Sequence, residues 1–126
     1  MRPKALSNLE LEIMKVVWEC QRCSVRDVLR QVGNSRKLAY TTVATILQRL
    51  HKKGLVERKS DKLAYIYSPM LSKKSYGKQL TELFIKRFVR SFGDVAIASF
   101  AEGIESLPLQ KRNNLLTQLQ NYDKSK

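Results

Sequence analysis

The sequence predicts a mainly α-helical fold that carries one short β-hairpin, and three features of its 126 residues support this class. Apolar side chains recur every three or four residues towards both ends of the chain, which is the spacing of amphipathic helices. A serine followed three residues later by an acid, typical of a helix start, occurs twice before residue 30. Two short segments rich in β-forming residues flank a polar turn in the middle of the chain.

The first two helices are defined by their start signals. Ser7 and Glu10 form a predicted capping box, in which each side chain accepts a hydrogen bond from the other residue's backbone N–H. The first helix is therefore expected from Ser7 to about Glu19. A second box, Ser24–Asp27, begins a shorter helix that we expect to end at Gly33.

The segment AYTTVATILQRLHKKGLVERK, residues 39–59, predicts a third helix that Gly54 ends. Four polar side chains fall on one stripe of this helix: Thr41, Thr45, Gln48 and Lys52. Three more flank the stripe: Thr42, Arg49 and Lys53. Apolar residues take the opposite side, so the helix is apolar where it meets the core and polar where it meets solvent.

The hairpin is predicted from Leu55–Lys59 and Leu63–Tyr67, which bracket the polar turn Ser60-Asp61-Lys62. A hairpin that directly follows three short helices indicates a winged helix-turn-helix. In that arrangement the third helix enters the major groove of DNA and the wing lies against the phosphates. Lys59 and Lys62 would be the cations of the wing.

Three aromatic side chains in this region are interpreted as core residues. Trp18 is expected to join the first helix to the hairpin. Tyr65 and Tyr67 share one face of their strand, and we expect both to pack against the first and third helices.

The charge balance favours a polyanionic partner. Lysine and arginine number 24 against 11 acidic residues, a formal net charge of +13, and the excess is spread along the chain. Recognition helices contact bases through their first turns, so Thr41, Thr42 and Thr45 are the predicted base contacts. The other predicted DNA-binding residues are Arg36, Lys37, Tyr40, Gln48, Arg49, Lys52, Lys53, Lys59 and Lys62.

Several function classes find no support in the sequence. One histidine, with no Gly-rich phosphate loop and no GxSxG or HExxH motif, leaves no assembled nucleophile and base, so we expect no enzyme and no cofactor. No apolar run approaches the ~18 residues of a membrane span, so no membrane insertion is expected. The absence of an apolar leader and the low cysteine content predict a cytoplasmic protein.

The spacing of Cys20 and Cys23 is that of a redox pair or of half a zinc site. A zinc site needs about four ligands, and the only histidine, His51, lies on the third helix. A redox pair usually opens a helix in a thioredoxin-like βαβ unit, which the sequence lacks. We interpret the pair as loop thiols that bind no metal, and a metal- or redox-responsive regulator stays as an alternative.

The region after Pro69–Ser72 predicts further helices, so the expected domains are 1–71, a winged-helix DNA-binding domain, and 72–126, a helical dimerisation domain. Four phenylalanines in this region are too many for so small an appendage to bury alone, and a second copy of the chain would cover them. The alternative is that these helices fold back on their own winged helix. The predicted dimer contacts are Leu80, Leu83, Phe84, Phe88, Phe92, Phe100, Ile104, Leu116 and Leu119.

Four successive blocks resemble the BlaI/MecI penicillinase-repressor family, which includes the copper-responsive CopY repressors: LSNLELEIMKVVW, SVRDVL, AYTTVATILQRLHKKGLVERK and AYIYSP. The resemblance implies a bacterial homodimeric repressor whose partner is the double-stranded DNA of a palindromic promoter operator. The wing departs from the family, since Ser60-Asp61-Lys62 replaces the Gly-containing turn that is common there. The copper-responsive members carry cysteines near the C-terminus, where this chain has none.

The resemblance also implies a way of release. In the penicillinase repressors, a membrane sensor protease leads to a cut between an Asn and a Phe inside the C-terminal helices. The matching stretch here is VAIASFAEG, which makes the bond between Ser99 and Phe100 the candidate cleavage site. The alternatives are that Phe100 is only a core residue and that a ligand releases the protein.

Two other function classes are also compatible with the sequence. A nucleic-acid-packaging protein would bind all sequences alike, whereas a winged helix can also serve as a protein-interaction module that binds no DNA. Competition with random DNA distinguishes the first from a repressor, because specific complexes are typically ~10³–10⁷-fold tighter.

Overall fold

The computed structural model describes residues 5–33 and 36–124, and it confirms a mainly α-helical fold with one antiparallel hairpin. The elements follow in the order α1 (Asn8–Cys20), α2 (Val25–Val32), α3 (Tyr40–Lys52), β1 (Val56–Asp61), β2 (Ala64–Pro69), α4 (Lys73–Phe92), α5 (Asp94–Glu105) and α6 (Leu109–Lys124). The chain divides into two compact units, Met1–Glu82 and Leu83–Lys126. Within the described residues, no helix combines the length and the apolar character that crossing a membrane requires.

Both predicted capping boxes are present. The Ser7 backbone N–H donates to Glu10 Oε1 at 2.9 Å, and the Glu10 N–H donates to Ser7 Oγ at 3.2 Å. Ser24 and Asp27 exchange the same two bonds at 3.0 and 3.1 Å. Each box satisfies backbone donors that a helix start otherwise leaves unpaired, and this explains why α1 and α2 begin where the sequence predicts.

The core of the first unit lies between α1, α2, α3 and the hairpin. Most of its side chains are at most 3% exposed, among them Ile13, Met14, Val17, Val28, Val43, Leu47, Leu50, Val56 and Tyr67. Side chains from all three helices and from both strands enter this one cluster. The apolar face of α3 therefore packs against this core, and its opposite face is left exposed to solvent.

The hairpin differs from the prediction in the position of its turn. Asp61 pairs with Ala64, so the turn is Lys62-Leu63, and Ser60 and Asp61 belong to β1. Lys62 has a φ of +56°, a left-handed conformation that tight two-residue hairpins use. Sequence reasoning assigned the polar residues to the turn, but the register of the pairing decides where the turn falls.

The two tyrosines of β2 also have different surroundings. Tyr67 is 2% exposed, and its backbone exchanges hydrogen bonds of 2.9 and 2.8 Å with Cys23. Tyr65 is 46% exposed, so the prediction that both tyrosines pack against the helices is wrong for Tyr65. The residues lie two apart on one strand face, and the helices cover only the end of the hairpin that holds Tyr67.

Trp18 is a core residue, as predicted, at 8% exposure. Its indole Nε1 donates to the Leu71 carbonyl oxygen at 2.8 Å, and its ring centroid lies 5.9 Å from that of Tyr76 on α4. Trp18 therefore links α1 to the chain that follows the hairpin and to the first turns of α4. Tyr76 is 3% exposed, so the start of α4 belongs to the first unit.

Candidate nucleic-acid interface

Helix α3 separates its residues into a buried and an exposed side, as its pattern predicts. The apolar side chains are at most 3% exposed: Val43, Ile46, Leu47 and Leu50. The opposite side presents exposed polar residues: Thr41, Thr45, Gln48, Arg49 and Lys52. Thr42 is half-buried at the edge of this side, and Tyr40, in the first turn, is 49% exposed. The exposed side of α3 therefore presents polar side chains that are available to a ligand.

The Thr45 hydroxyl is already engaged within α3. Its Oγ1 donates to the Thr41 carbonyl oxygen at 2.8 Å. A threonine that donates to the carbonyl four residues earlier keeps only its oxygen lone pairs and its methyl group for a ligand. It can accept a hydrogen bond from a base amino group or contact the methyl group of thymine.

The hairpin adds cations beside α3. Lys59 and Lys62 are both exposed, the second of them in the turn. The Arg58 guanidinium carbon lies 4.4 Å from the ring centroid of Tyr65, a cation–π contact that orders both side chains. The wing therefore presents three cationic side chains, Arg58, Lys59 and Lys62, beside the acids Glu57 and Asp61, and the sequence analysis assigned no role to Arg58.

An open groove of about 490 Å³ lies between α3 and the hairpin. Tyr40 and Gln48 line it from α3, and Lys62 and Tyr65 line it from the hairpin. Arg26, in the first turn of α2, also lines the groove and was missed by the sequence analysis. Its position was the available signal, because the helix before a recognition helix crosses the DNA backbone.

Lys53 has a different environment from the other predicted contacts. Its Nζ donates to both carboxylate oxygens of Glu10, at 2.9 and 2.8 Å. The Glu10 side chain is 8% exposed and that of Lys53 27% exposed. The Lys53 ammonium is thus paired with a buried carboxylate while part of its side chain stays exposed, which makes Lys53 a weaker candidate for a phosphate contact than Lys52.

The two cations that precede α3 stay on the surface. Arg36 lies 3.5 Å from Glu12, with half of its side chain exposed, and Lys37 is exposed. Exposed ion pairs contribute roughly 0–1 kcal/mol. A DNA phosphate can therefore compete with Glu12 for the Arg36 guanidinium, so both cations are retained as candidates.

The cysteines have unequal environments. Cys23 is fully buried, its thiol donates to the Tyr67 carbonyl oxygen at 3.7 Å, and burial together with the nearby Cys20 raises its pKa to about 12. Cys20 is half-buried at the end of α1 and accepts a hydrogen bond from Gln31 at 3.3 Å. Cys23 is therefore a core residue rather than a loop thiol. Across residues 5–33 and 36–124, no cluster of three or more His, Cys, Asp or Glu side chains is arranged to hold a metal.

The second unit exposes most of its large apolar side chains. Phe84, Phe88, Phe92 and Phe100 are 46 to 60% exposed, and the first three form a row with centroids 6.1 and 6.2 Å apart. The same holds for Leu116 and Leu119, at 45 and 48%. Leu83 and Ile104 are half-buried. Leu80 instead packs against the core of the first unit, and we remove it from the candidate dimer contacts.

The candidate cleavage bond lies in the middle of α5. Ser99 and Phe100 are both exposed, and no residue of α5 is buried. The side chains flanking the bond are accessible, while the bond itself is part of a helix.

Comparisons with known proteins agree with this geometry. A sequence profile described as penicillinase repressor matches residues 6–121. The penicillinase repressor of Bacillus licheniformis is 25% identical over 121 residues, which cover 96% of this chain and 94% of that protein.

Two solved structures are also similar, both at 27% identity and both covering 60% of this chain. One is the solution structure of the DNA-binding domain of the repressor BlaI, with a TM-score of 0.53 and 94% of that chain covered. The other is monomeric BlaI of Bacillus licheniformis in complex with the blaP half-operator, with a TM-score of 0.50 and 92% covered.

Proposed function

The chain belongs to the penicillinase repressor family, and we propose that it represses a promoter by binding a palindromic operator as a homodimer. At the coarser level it is a DNA-binding transcriptional repressor, a class of protein that is not an enzyme. Each protomer places α3 in one major groove, with the wing against the neighbouring phosphates.

The observation that carries this proposal is the exposed side of α3. Thr41 and Thr45 occupy its first two turns, where recognition helices contact bases, and Arg49 and Lys52 follow towards the phosphates. The wing cations Lys59 and Lys62 extend the positive surface. Small hydroxyl side chains can contact the base edges on the floor of the major groove, and the cations next to them can pair with the phosphates that border it.

The homodimer is supported by the exposed apolar residues of the second unit. Phenylalanines that are about half exposed gain burial when a second copy covers them, worth ~25 cal/mol per Å² of apolar surface. An isologous contact gives the two-fold axis that a palindromic operator requires. Two linked protomers also bind an operator more tightly than one protomer does, because the contact of the second protomer becomes intramolecular.

For release we propose cleavage between Ser99 and Phe100, with a membrane sensor protease as the upstream partner. Within one chain α5 buries no side chain, so apart from its dimer contacts little packing opposes the local unwinding that a protease requires. The cut separates Phe100 and all of α6 from the row of phenylalanines on α4. The dimer then loses apolar burial, and DNA affinity falls with it.

The test is selection of duplexes from a random library by the full-length protein, followed by titration of the selected duplex against a scrambled one at physiological salt. We expect a two-fold-symmetric selected sequence and a preference of at least ~10³ over the scrambled duplex. Equal affinity for both duplexes would instead indicate a packaging protein. An absence of duplex binding even at low salt would indicate a protein-interaction module.

A further inference from the structure

The Glu10–Lys53 ion pair occupies an unusual position. Glu10 is the only charged residue among the buried positions of the described chain, at 6% exposure. Its carboxylate accepts from the Ser7 backbone as well as from Lys53, so one side chain caps α1 and binds the lysine that follows α3. Burial opposes its ionisation, but the bonds from Lys53 and Ser7 outweigh burial and lower the pKa of Glu10.

Lys53 is the C-cap residue of α3, and its backbone N–H donates to the Arg49 carbonyl oxygen. The ion pair therefore ties the C-terminal end of α3 to the first turn of α1. Burial first and then the charge of Glu10 raise the pKa of Tyr76, a buried side chain of α4.

A directional contact at the C-terminal end of α3 constrains the position of its N-terminal end. The apolar attraction behind α3 is non-directional, whereas two N–O contacts of 2.8 and 2.9 Å constrain both distance and angle. Lys53 lies twelve residues after Thr41, about 18 Å along the helix. A tilt of about 3° pivoting at Lys53 moves the first turn by about 1 Å, enough to break a hydrogen bond to a base.

We propose that Glu10 and Lys53 are positioning residues, which set the tilt of α3 so that its first turns meet the bases, and that Lys53 does not bind phosphate. This proposal rests on the proposed function, in which α3 reads an operator. It predicts that the pair affects sequence preference and leaves general DNA affinity intact, because phosphate contacts tolerate a small tilt and base contacts do not.

The test compares the full-length wild-type protein with the neutral double variant Glu10→Gln/Lys53→Met. Removing both charges leaves no unpaired buried charge, and glutamine keeps the capping box. The variant Lys52→Met is the matched control, because Lys52 is the adjacent lysine and is exposed. Each protein is titrated with the library-selected duplex and with a scrambled duplex at several salt concentrations, below its own unfolding temperature.

For the double variant we expect about a tenfold loss in the ratio of selected to scrambled affinity, with scrambled binding and its salt slope unchanged. Lys52→Met should weaken both duplexes alike and reduce the salt slope by about one unit. An unchanged ratio in the double variant would overturn the proposal, and so would a salt slope reduced as in Lys52→Met. If the double variant does not fold, the single variant Glu10→Gln is measured instead, and we expect the same loss in its ratio of selected to scrambled affinity.

The failure of this inference is distinguishable from failure of the proposed function. A wild-type protein without any preference for a selected duplex refutes the operator. A wild-type protein with that preference, kept in full by the double variant, refutes only the positioning role.

Discussion

Lys52 and Lys53 are neighbours in the sequence, yet their ammonium groups have different surroundings. Lys52 is exposed on the polar side of α3, whereas Lys53 is held by Glu10. Helical periodicity places both near the solvent side, but it gives no information on where a long flexible side chain ends. Because the Lys53 ammonium already bonds a carboxylate, we expect Lys52 rather than Lys53 to neutralise a phosphate.

Thr45 gives a prediction about how bases are read. Because its hydroxyl donates to the Thr41 carbonyl, we expect its methyl group to make the base contact. Thr45→Val, which keeps that methyl, should bind the selected duplex within about twofold of wild type, and Thr45→Ala should lose roughly 1 kcal/mol and some sequence preference. Titration of both variants checks this. If Thr45→Val loses as much affinity for the selected duplex as Thr45→Ala does, the hydroxyl rather than the methyl group makes the base contact.

Lys62 gives a prediction about stability. A lysine at φ +56° is strained, so Lys62→Gly should raise the free energy of unfolding by about 0.5–1 kcal/mol in urea denaturation. The matched control is Lys59→Gly, at an extended position of β1, which should lower it. Each variant loses one wing cation, so both should weaken DNA binding similarly. A Lys62→Gly protein that is less stable than wild type would contradict the strain.

At the scale of elements, the two capping boxes make α1 and α2 sensitive to acid. The Ser24 backbone bond lowers the pKa of Asp27 below its ordinary 3.8, and the pKa of Glu10 is lowered below 4.5. A lowered folded pKa means that the group stabilises the fold above its unfolded pKa. That stabilisation is lost as the pH falls through the folded value, below about pH 4.

The expected outcome is a loss of unfolding free energy as the pH falls below about 4, measured by urea denaturation (the pH range follows from reference pKa values of roughly 4). Glu10→Gln and Asp27→Asn should each be less stable than wild type at pH 7 and should each show a shallower loss with acid. If the unfolding free energy of both variants falls with pH as much as that of wild type, other carboxylates cause the acid sensitivity.

The elements also show what sequence reasoning can and cannot give. Helix starts were predictable because a capping box is local, and α3 was predictable because its periodicity is strong. The turn at Lys62-Leu63 was not, since strand register depends on pairing across the hairpin. The exposure of Tyr65 depends on where the helices end in space, which no local pattern records, whereas Arg26 could have been predicted from its place in the first turn of the helix before α3.

At the scale of the whole molecule, α4 is shared between the two compact units. Tyr76 is buried in the first unit, and the row of phenylalanines begins just beyond Glu82. A truncation after residue 71 would therefore remove a core side chain together with the predicted dimer surface. We place the informative truncation after Glu82 instead.

The truncated protein should be a folded monomer with about 10²-fold weaker binding to the selected duplex, because the half-sites are no longer linked. In the full chain, Phe88→Asp should have the same effect by placing a charge in the proposed interface. Lys86→Asp, at an exposed polar position of the same helix, is the control and should stay dimeric. Sedimentation velocity measures the assembly, and a monomeric wild-type chain at tens of micromolar would refute the dimer.

Cleavage between Ser99 and Phe100 predicts a fragment that keeps the whole first unit and the phenylalanine row of α4 but lacks the end of α5 and all of α6. Such a fragment should dimerise more weakly than the intact chain, because Phe100, Leu116 and Leu119 leave with the C-terminal piece.

Helix stability should control the rate of cutting, since a protease needs the bond unwound. Replacing Ser99 by proline removes a helix hydrogen bond and opens α5 around the bond, whereas Ser99→Ala strengthens the helix. Mass spectrometry of the protein recovered from induced cells should therefore find a chain that ends at Ser99 in wild type, and less of this product in Ser99→Ala. An intact chain that has left its operator would exclude proteolysis and indicate release by a ligand.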